Sequence, residues 1–253
     1  MDLGLRGLKS LVTGGTKGIG RAIAESLAAE GCDVAICARN SMEVAEIVAV
    51  LKTKGVKATG AAVDVSDGPL LKGWVVEAAA ALNGLDIIVA NVSAMAVSDD
   101  EDGWATGFST DVMGTVRLVD AAMPFLLASK AAAIVTISSV SAREVDPDSG
   151  PYGVFKAAII HYTQGLAQKL AAQGVRANTV SPGPTFFEGG IWNQIRDSDP
   201  ALYQMAVTLN PTGRMGTPQE IANAAVFLAS PAASFISGAN LVVDGALTRG
   251  VHL

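Results

Sequence analysis

Tyr152 and Lys156 stand four residues apart in Tyr-Gly-Val-Phe-Lys, a spacing that puts both on one face of a helix. A phenol is a poor acid or base at neutral pH. A neighbouring ammonium favours its phenolate and makes proton transfer feasible. Ser139 closes an apolar, β-branched run upstream, and open α/β sheets hold their ligands at the carboxyl ends of such strands. Its hydroxyl could hold a substrate oxygen beside that of Tyr152. Taken singly, Tyr-x-x-x-Lys says little, because an exposed ion-pair-like couple has the same spacing.

A second group of residues could hold a dinucleotide. The first apolar run ends in Thr13-Gly14-Gly15-Thr16-Lys17-Gly18-Ile19-Gly20. Glycines let a chain turn tightly and bring N–H groups against a pyrophosphate at the start of the next helix. The spacing differs from G-x-G-x-x-G, so the strand before and the helix after must carry the reading. Which dinucleotide follows from the end of the second run, Ala38-Arg39-Asn40. A carboxylate there would take a ribose 2′-hydroxyl and repel a 2′-phosphate. Arg39 and Lys17 instead offer a fork and a point charge to a phosphate, so NADP(H) is expected over NAD(H). The plainer alternative is a pair of solvated surface cations.

The elements that must position these groups alternate along the whole chain. Strands are expected over 8–13, 33–38, 57–63, 86–90, 132–138, 176–181 and 240–243. Helices are expected over 18–30, 41–54, 69–82, 104–129, 152–172 and 218–230. Strands apolar throughout, each followed by a helix, imply a doubly wound parallel sheet covered on both faces. Residues 1–253 read as one α/β domain of the Rossmann type. The rhythm breaks at 182–210, where Phe186, Phe187, Trp192, Tyr203 and Met205 fall among Pro and Gly. An apolar excursion of this kind, about 184–212, reads as a substrate loop or lid. It points to an apolar, medium-sized substrate, although the same residues could simply pack the lid.

Composition narrows the partners. Half of the 253 residues are hydrophobic and 17% are charged, with a net charge of −6. A large core follows, and without clustered Lys or Arg neither a nucleic-acid nor an anionic membrane surface is expected. Cys32 and Cys37 would point to opposite faces of a strand, where they are not easily bridged; they read as small core residues in preference to a redox pair, which fits a reducing compartment. With two histidines, His161 and His252, and no Cys/His cluster, no metal site is expected. His161, in the helix of Lys156, reads as an interface or core residue. No signal-peptide run or membrane span is visible, so the cytoplasm is the expected compartment.

Together, Thr13-Gly14-x-x-x-Gly18-x-Gly20, Asp64-Val65, Ser139, Tyr152-x-x-x-Lys156, Pro182-Gly183 and the ending Ile236–Gly245 resemble the short-chain dehydrogenase/reductases. The resemblance spans essentially the whole chain. It implies a seven-stranded Rossmann sheet and hydride transfer between NADP(H) and a carbonyl or secondary alcohol. Tyr152 would be the acid/base, with Ser139 and Lys156 beside it. Asp64 and Val65 would meet the adenine, and Asn91 would line the cleft. Lys156 would also hold the nicotinamide ribose, with Pro182, Gly183 and Thr185 by the carboxamide. Gly14, Thr16, Lys17, Gly18, Ile19, Gly20, Arg39 and Asn40 would complete the cofactor contacts. A homotetramer or homodimer is implied, built on the two long helices.

Two departures stand out. The family's Asn-Asn-Ala-Gly after the fourth strand is here Ala90-Asn91-Val92-Ser93, and the family's active-site Asn in the long helix is Asp111. An ionised Asp accepts but cannot donate, and near Lys156 it would act as a counter-charge. Two alternatives therefore stay open. One is an NAD-dependent alcohol or dihydrodiol dehydrogenase working oxidatively; the other is a nucleotide-binding protein whose catalysis Asp111 has impaired.

Overall fold

The computed structural model describes residues 2–145 and 149–250; His252 lies outside them. Seven parallel strands form one sheet: β1 (Lys9–Thr13), β2 (Asp33–Ala38), β3 (Ala58–Ala62), β4 (Ile87–Ala90), β5 (Ala133–Ile137), β6 (Arg176–Pro182) and β7 (Asn240–Val243). Their order is β3-β2-β1-β4-β5-β6-β7, so the winding reverses between β1 and β4. That reversal opens a crevice at the carboxyl ends of these two strands. β4 and β5 are buried at every residue, as strands covered on both faces must be.

The covering helices include α1 (Gly18–Ala29), α2 (Ser41–Lys52) and α3 (Gly68–Leu82). Asn40 caps α2 through Met42 and Glu43 N–H, and Asp67 caps α3 through Leu70 N–H, each satisfying donors that a helix start leaves orphaned. One core layer takes Leu11, Ala35, Cys37 and Ile88; the other takes Val12, Cys32, Val34 and Ile36. The two cysteines thus lie on opposite faces of the sheet, both free. Burial pushes each thiol up to about 12.

The single helix expected over 104–129 is three pieces: α4 (Glu101–Gly107), a π-helical turn at Phe108–Val112, and α5 (Met113–Ala128). A π turn is a local shift of hydrogen bonding within an otherwise helical run, and the sequence of the whole stretch reads as one helix. The helix opening at residue 151 is α6 (Pro151–Leu170). His161 is exposed on it, which removes the core assignment. The excursion at 182–210 is not irregular: it contains α7 (Ile191–Ser198) and α8 (Pro200–Leu209), after which α9 (Pro218–Ala229) returns to the sheet. Asp199 caps α8, with Pro200 in its first turn.

The end of α9 is held by a cation. The Arg176 guanidinium, from the first residue of β6, donates to Leu228, Ala229 and Ser230 carbonyls at 2.7–3.0 Å. A positive charge at a helix C-terminus complements both its free carbonyls and its dipole. Burial pulls Arg176 below its usual value, a cost these carbonyls offset. Arg176→Met is expected to lower the unfolding free energy by about 2–3 kcal/mol in urea denaturation. Arg176→Lys should recover only part, because one ammonium cannot span several carbonyls. A thiol reagent at pH 8 is expected to label neither cysteine in the native protein and both after denaturation; labelling in the native state would contradict their burial.

Candidate active site

The glycine turn leaves β1 at the crevice. Gly14 and Gly18 hold positive φ, +66° and +51°, which only glycine adopts at little cost. A Cβ on Gly20 would collide with the Gly14 carbonyl, so α1 starts closer to the turn than any side chain allows. Asn91 locks the crevice from the other side. Its N–H donates to Thr13 Oγ1 at 3.1 Å and its Nδ2 to the Thr13 carbonyl at 3.1 Å. Thr13 Oγ1 in turn donates to the Val89 carbonyl at 3.3 Å. The ends of β1 and β4 are thereby held in one register, with α1's free N–H groups facing the gap.

Ser93, where the resemblance leads one to expect glycine, has no left-handed backbone; that conformation falls on Met95, φ +50°. The Ser93 hydroxyl accepts the Met95 N–H at 3.1 Å. The substitution is therefore absorbed two residues downstream.

Just beyond β3, the Asp64 carboxylate accepts from Ser66 Oγ at 2.7 Å and Ser66 N–H at 2.9 Å. These bonds, followed by the nearby Arg39 charge, hold it below the usual carboxylate range. Val65 is buried beside it, and Arg39 and Asn40 are exposed. Lys17 reaches a carboxylate that the sequence reading did not consider, Glu43, at 2.7 Å. Asn40-x-x-Glu43 has the spacing of a helix-capping box, so a signal for it was present.

At the other end, β5 delivers Ser138 and Ser139 to the start of α6. Ser138 Oγ donates to the Lys156 carbonyl at 2.8 Å, and Ser139 Oγ accepts the Ser141 N–H at 3.1 Å. Tyr152 and Lys156 share a face as their spacing required, with the Lys156 Nζ 5.5 Å from the Tyr152 ring centroid. Lys156 is 2% exposed. Its ammonium donates to the Ile137 carbonyl at 3.3 Å and lies 3.1 Å from Asp111 Oδ1. The approach to Oδ1 is off the hydrogen-bond direction, so the contact is one of charge. Asp111 Oδ2 accepts the Ala94 N–H at 2.8 Å, and the Asp111 carbonyl accepts Thr115 Oγ1 at 2.7 Å. The π turn carries Asp111 to this position, and neither Ala94 nor Thr115 was foreseen.

Pro182 ends β6 and Gly183 follows it; Thr185 is buried, donating to the Gly183 carbonyl at 3.0 Å. Beyond them the aromatics of the segment after β6 pack on one another: Phe186 meets the Tyr203 ring edge-on at 6.1 Å and the Arg196 guanidinium at 5.1 Å. Phe187 lies over the glycine turn, where a Cβ on Gly18 would come within 2.5 Å of its Cζ. Among the described residues no group of three or more His, Cys, Asp or Glu is arranged to hold a metal. No helix among them is long and apolar enough to cross a membrane.

Residues 14–248 match the family model described as enoyl-(acyl carrier protein) reductase. Isoepoxydon dehydrogenase patN of Penicillium expansum is 39% identical over 258 residues, covering 100% of this chain and 98% of its own. The 3-oxoacyl-(acyl-carrier-protein) reductase FabG of Staphylococcus aureus is 32% identical over 243 residues, covering 94% and 97%. A short chain dehydrogenase from Burkholderia cenocepacia J2315, solved in complex with NADP, superposes with a TM-score of 0.87 at 31% identity, covering 96% of this chain and 98% of its own. With the sheet order, the glycine crevice and the Tyr152/Lys156 face in place, these matches show that the chain belongs to the short-chain dehydrogenase/reductase family.

Proposed function

We propose that the protein is an NADP(H)-dependent oxidoreductase acting on a carbonyl or secondary alcohol, with Tyr152 handling the proton. The observation that carries this reading is the buried Lys156 ammonium, 5.5 Å from the Tyr152 ring centroid on one side and 3.1 Å from Asp111 on the other.

The glycines fit a dinucleotide: Gly14, Gly18 and Gly20 put no side chain of their own between α1's N-terminus and a pyrophosphate, and the Phe187 ring packed over Gly18 would have to give way to it. Gly14, Thr16, Gly18, Ile19, Gly20 and Asn91 would hold the phosphates and ribose. Lys17 and Arg39 would take the 2′-phosphate, Asp64 and Val65 the adenine, and Pro182, Gly183 and Thr185 the carboxamide. When bound, NADP(H) supplies or accepts the hydride. The protein's own part is orientation and proton movement. Ser139 Oγ would hold the substrate oxygen, and Tyr152 Oη would donate its proton there in reduction or take it in oxidation. The Lys156 ammonium lies beside the Tyr152 ring as this proton moves.

Asp111 acts in this scheme as a positioning residue. It fixes Lys156 beside the Tyr152 ring and ties the Ala94 backbone to the same point. The lid, with Ile191 and Met205 exposed beside its packed aromatics, supports an apolar substrate.

Two measurements test this reading. Turnover across a carbonyl and alcohol panel with both nicotinamide cofactors should favour NADP(H). Tyr152→Phe should lower kcat about 10²–10⁴-fold while cofactor affinity stays within a few-fold; near wild-type turnover would remove Tyr152 from the mechanism. Asp111→Leu leaves a buried ammonium without its charge partner and is expected to cost about 3–5 kcal/mol of stability along with activity. Asp111→Asn keeps an acceptor for Ala94 and should retain turnover. An inert wild type revived by Asp111→Asn would instead identify a nucleotide-binding protein with impaired catalysis.

A further inference from the structure

The corner assigned to the 2′-phosphate already contains an acid. Glu43 lies in the first turn of α2, three residues after the capping Asn40, and its carboxylate folds back over the glycine turn. Its Oε1 is 2.7 Å from Lys17 Nζ, its Oε2 accepts Thr16 Oγ1 at 3.3 Å, and Asn40 Nδ2 donates to Oε1 at 3.3 Å. Three of the polar residues expected at the cofactor therefore converge on one carboxylate. Arg39, the fourth, has no ion pair among the described residues.

As a structural contact this pair matters little: the Lys17 and Glu43 side chains are 62% and 30% exposed, and solvated ion pairs add little stability. Its consequence is for binding. The Lys17 ammonium must serve two anions, and a phosphate brought to it carries nearly two negative charges at pH 7. Glu43 has to yield Lys17 and still lies next to the incoming phosphate. A ribose without the phosphate meets no such repulsion, and its hydroxyls can donate to an acid at this corner, as they do at the acid ending the second strand of NAD-binding folds.

We propose that Glu43 is a cofactor-selectivity residue that competes with the 2′-phosphate for Lys17 and narrows the preference for NADP(H) over NAD(H). The proposal rests on the NADP(H) reading above and deepens it.

The test is the dissociation constant of NADPH, NADH and 2′,5′-ADP for the full chain, followed by nicotinamide fluorescence and by competition. In Glu43→Gln, which is nearly isosteric and can still accept from Thr16, the selectivity for NADPH over NADH should rise about fivefold to tenfold, and 2′,5′-ADP should tighten with it. The gain should shrink as salt is raised, because the corner is open to solvent. Glu43→Ala should move selectivity the same way, and the thermal midpoint reports whether either variant is folded. In Lys17→Met, adding Glu43→Gln should give a smaller gain, since the contested cation is gone. Selectivity that is unchanged or lower in both Glu43 variants would overturn the proposal. The NADP(H) reading fails separately, if Lys17→Met and Arg39→Ala leave NADPH affinity untouched. A wild type without preference, with selectivity appearing in Glu43→Gln, would correct that reading and uphold the role of Glu43.

Discussion

An ammonium with almost no access to water must have an anion or a set of oxygens around it, because desolvation otherwise costs several kcal/mol. Lys156 is such a group, and its surroundings organise this end of the molecule. The Ile137 carbonyl fixes it to the tip of β5, and Ser138 ties its own backbone to the same strand. Asp111 reaches it from the π turn between α4 and α5, and through Ala94 the same carboxylate holds the loop after β4. Four segments distant in sequence thus meet around one positive charge. The face that Lys156 shares with Tyr152 is fixed by that meeting more than by the helix alone.

The two ends of the crevice use charge in opposite ways. Lys156–Asp111 lies in the protein interior, where an ion pair is stiff, weakly screened and costly to break. Lys17–Glu43 lies in the open, where the pair contributes little to folding and can be exchanged for a ligand's phosphate. Between them the glycines of the turn offer backbone N–H groups, which suits a pyrophosphate held by many weak donors. A stiff pair at Lys156 and a solvent-screened pair at Lys17 follow from their difference in burial.

Much of the fold was legible because its signals are local. Strands apolar at all or nearly all positions, such as Ile87–Ala90 and Ala133–Ile137, read as interior strands of a covered sheet, and the glycine turn announced the first crossover. The two cysteines were placed on opposite faces by strand alternation, and so they lie. Even α8 had a signal in Asp199-Pro200, a cap followed by the residue that best starts a helix; the density of Pro, Gly and aromatic residues around it obscured this. The π turn had none, since Phe-Ser-Thr-Asp-Val fits an ordinary helical pattern and its hydrogen-bond shift leaves no mark on composition.

The sequence by itself determined the sheet, the glycine crevice and the shared face of Tyr152 and Lys156, because each depends on periodicity or on spacings within a few residues. No local rule relates acids and bases this far apart: Asp111 and Lys156 are separated by 45 positions and Lys17 and Glu43 by 26. The first pair was expected only through the family resemblance, and the second was revealed only when the sheet stacked the two elements side by side. The carboxylate absent from the end of β2 was in this way restored to the same corner by the first turn of α2.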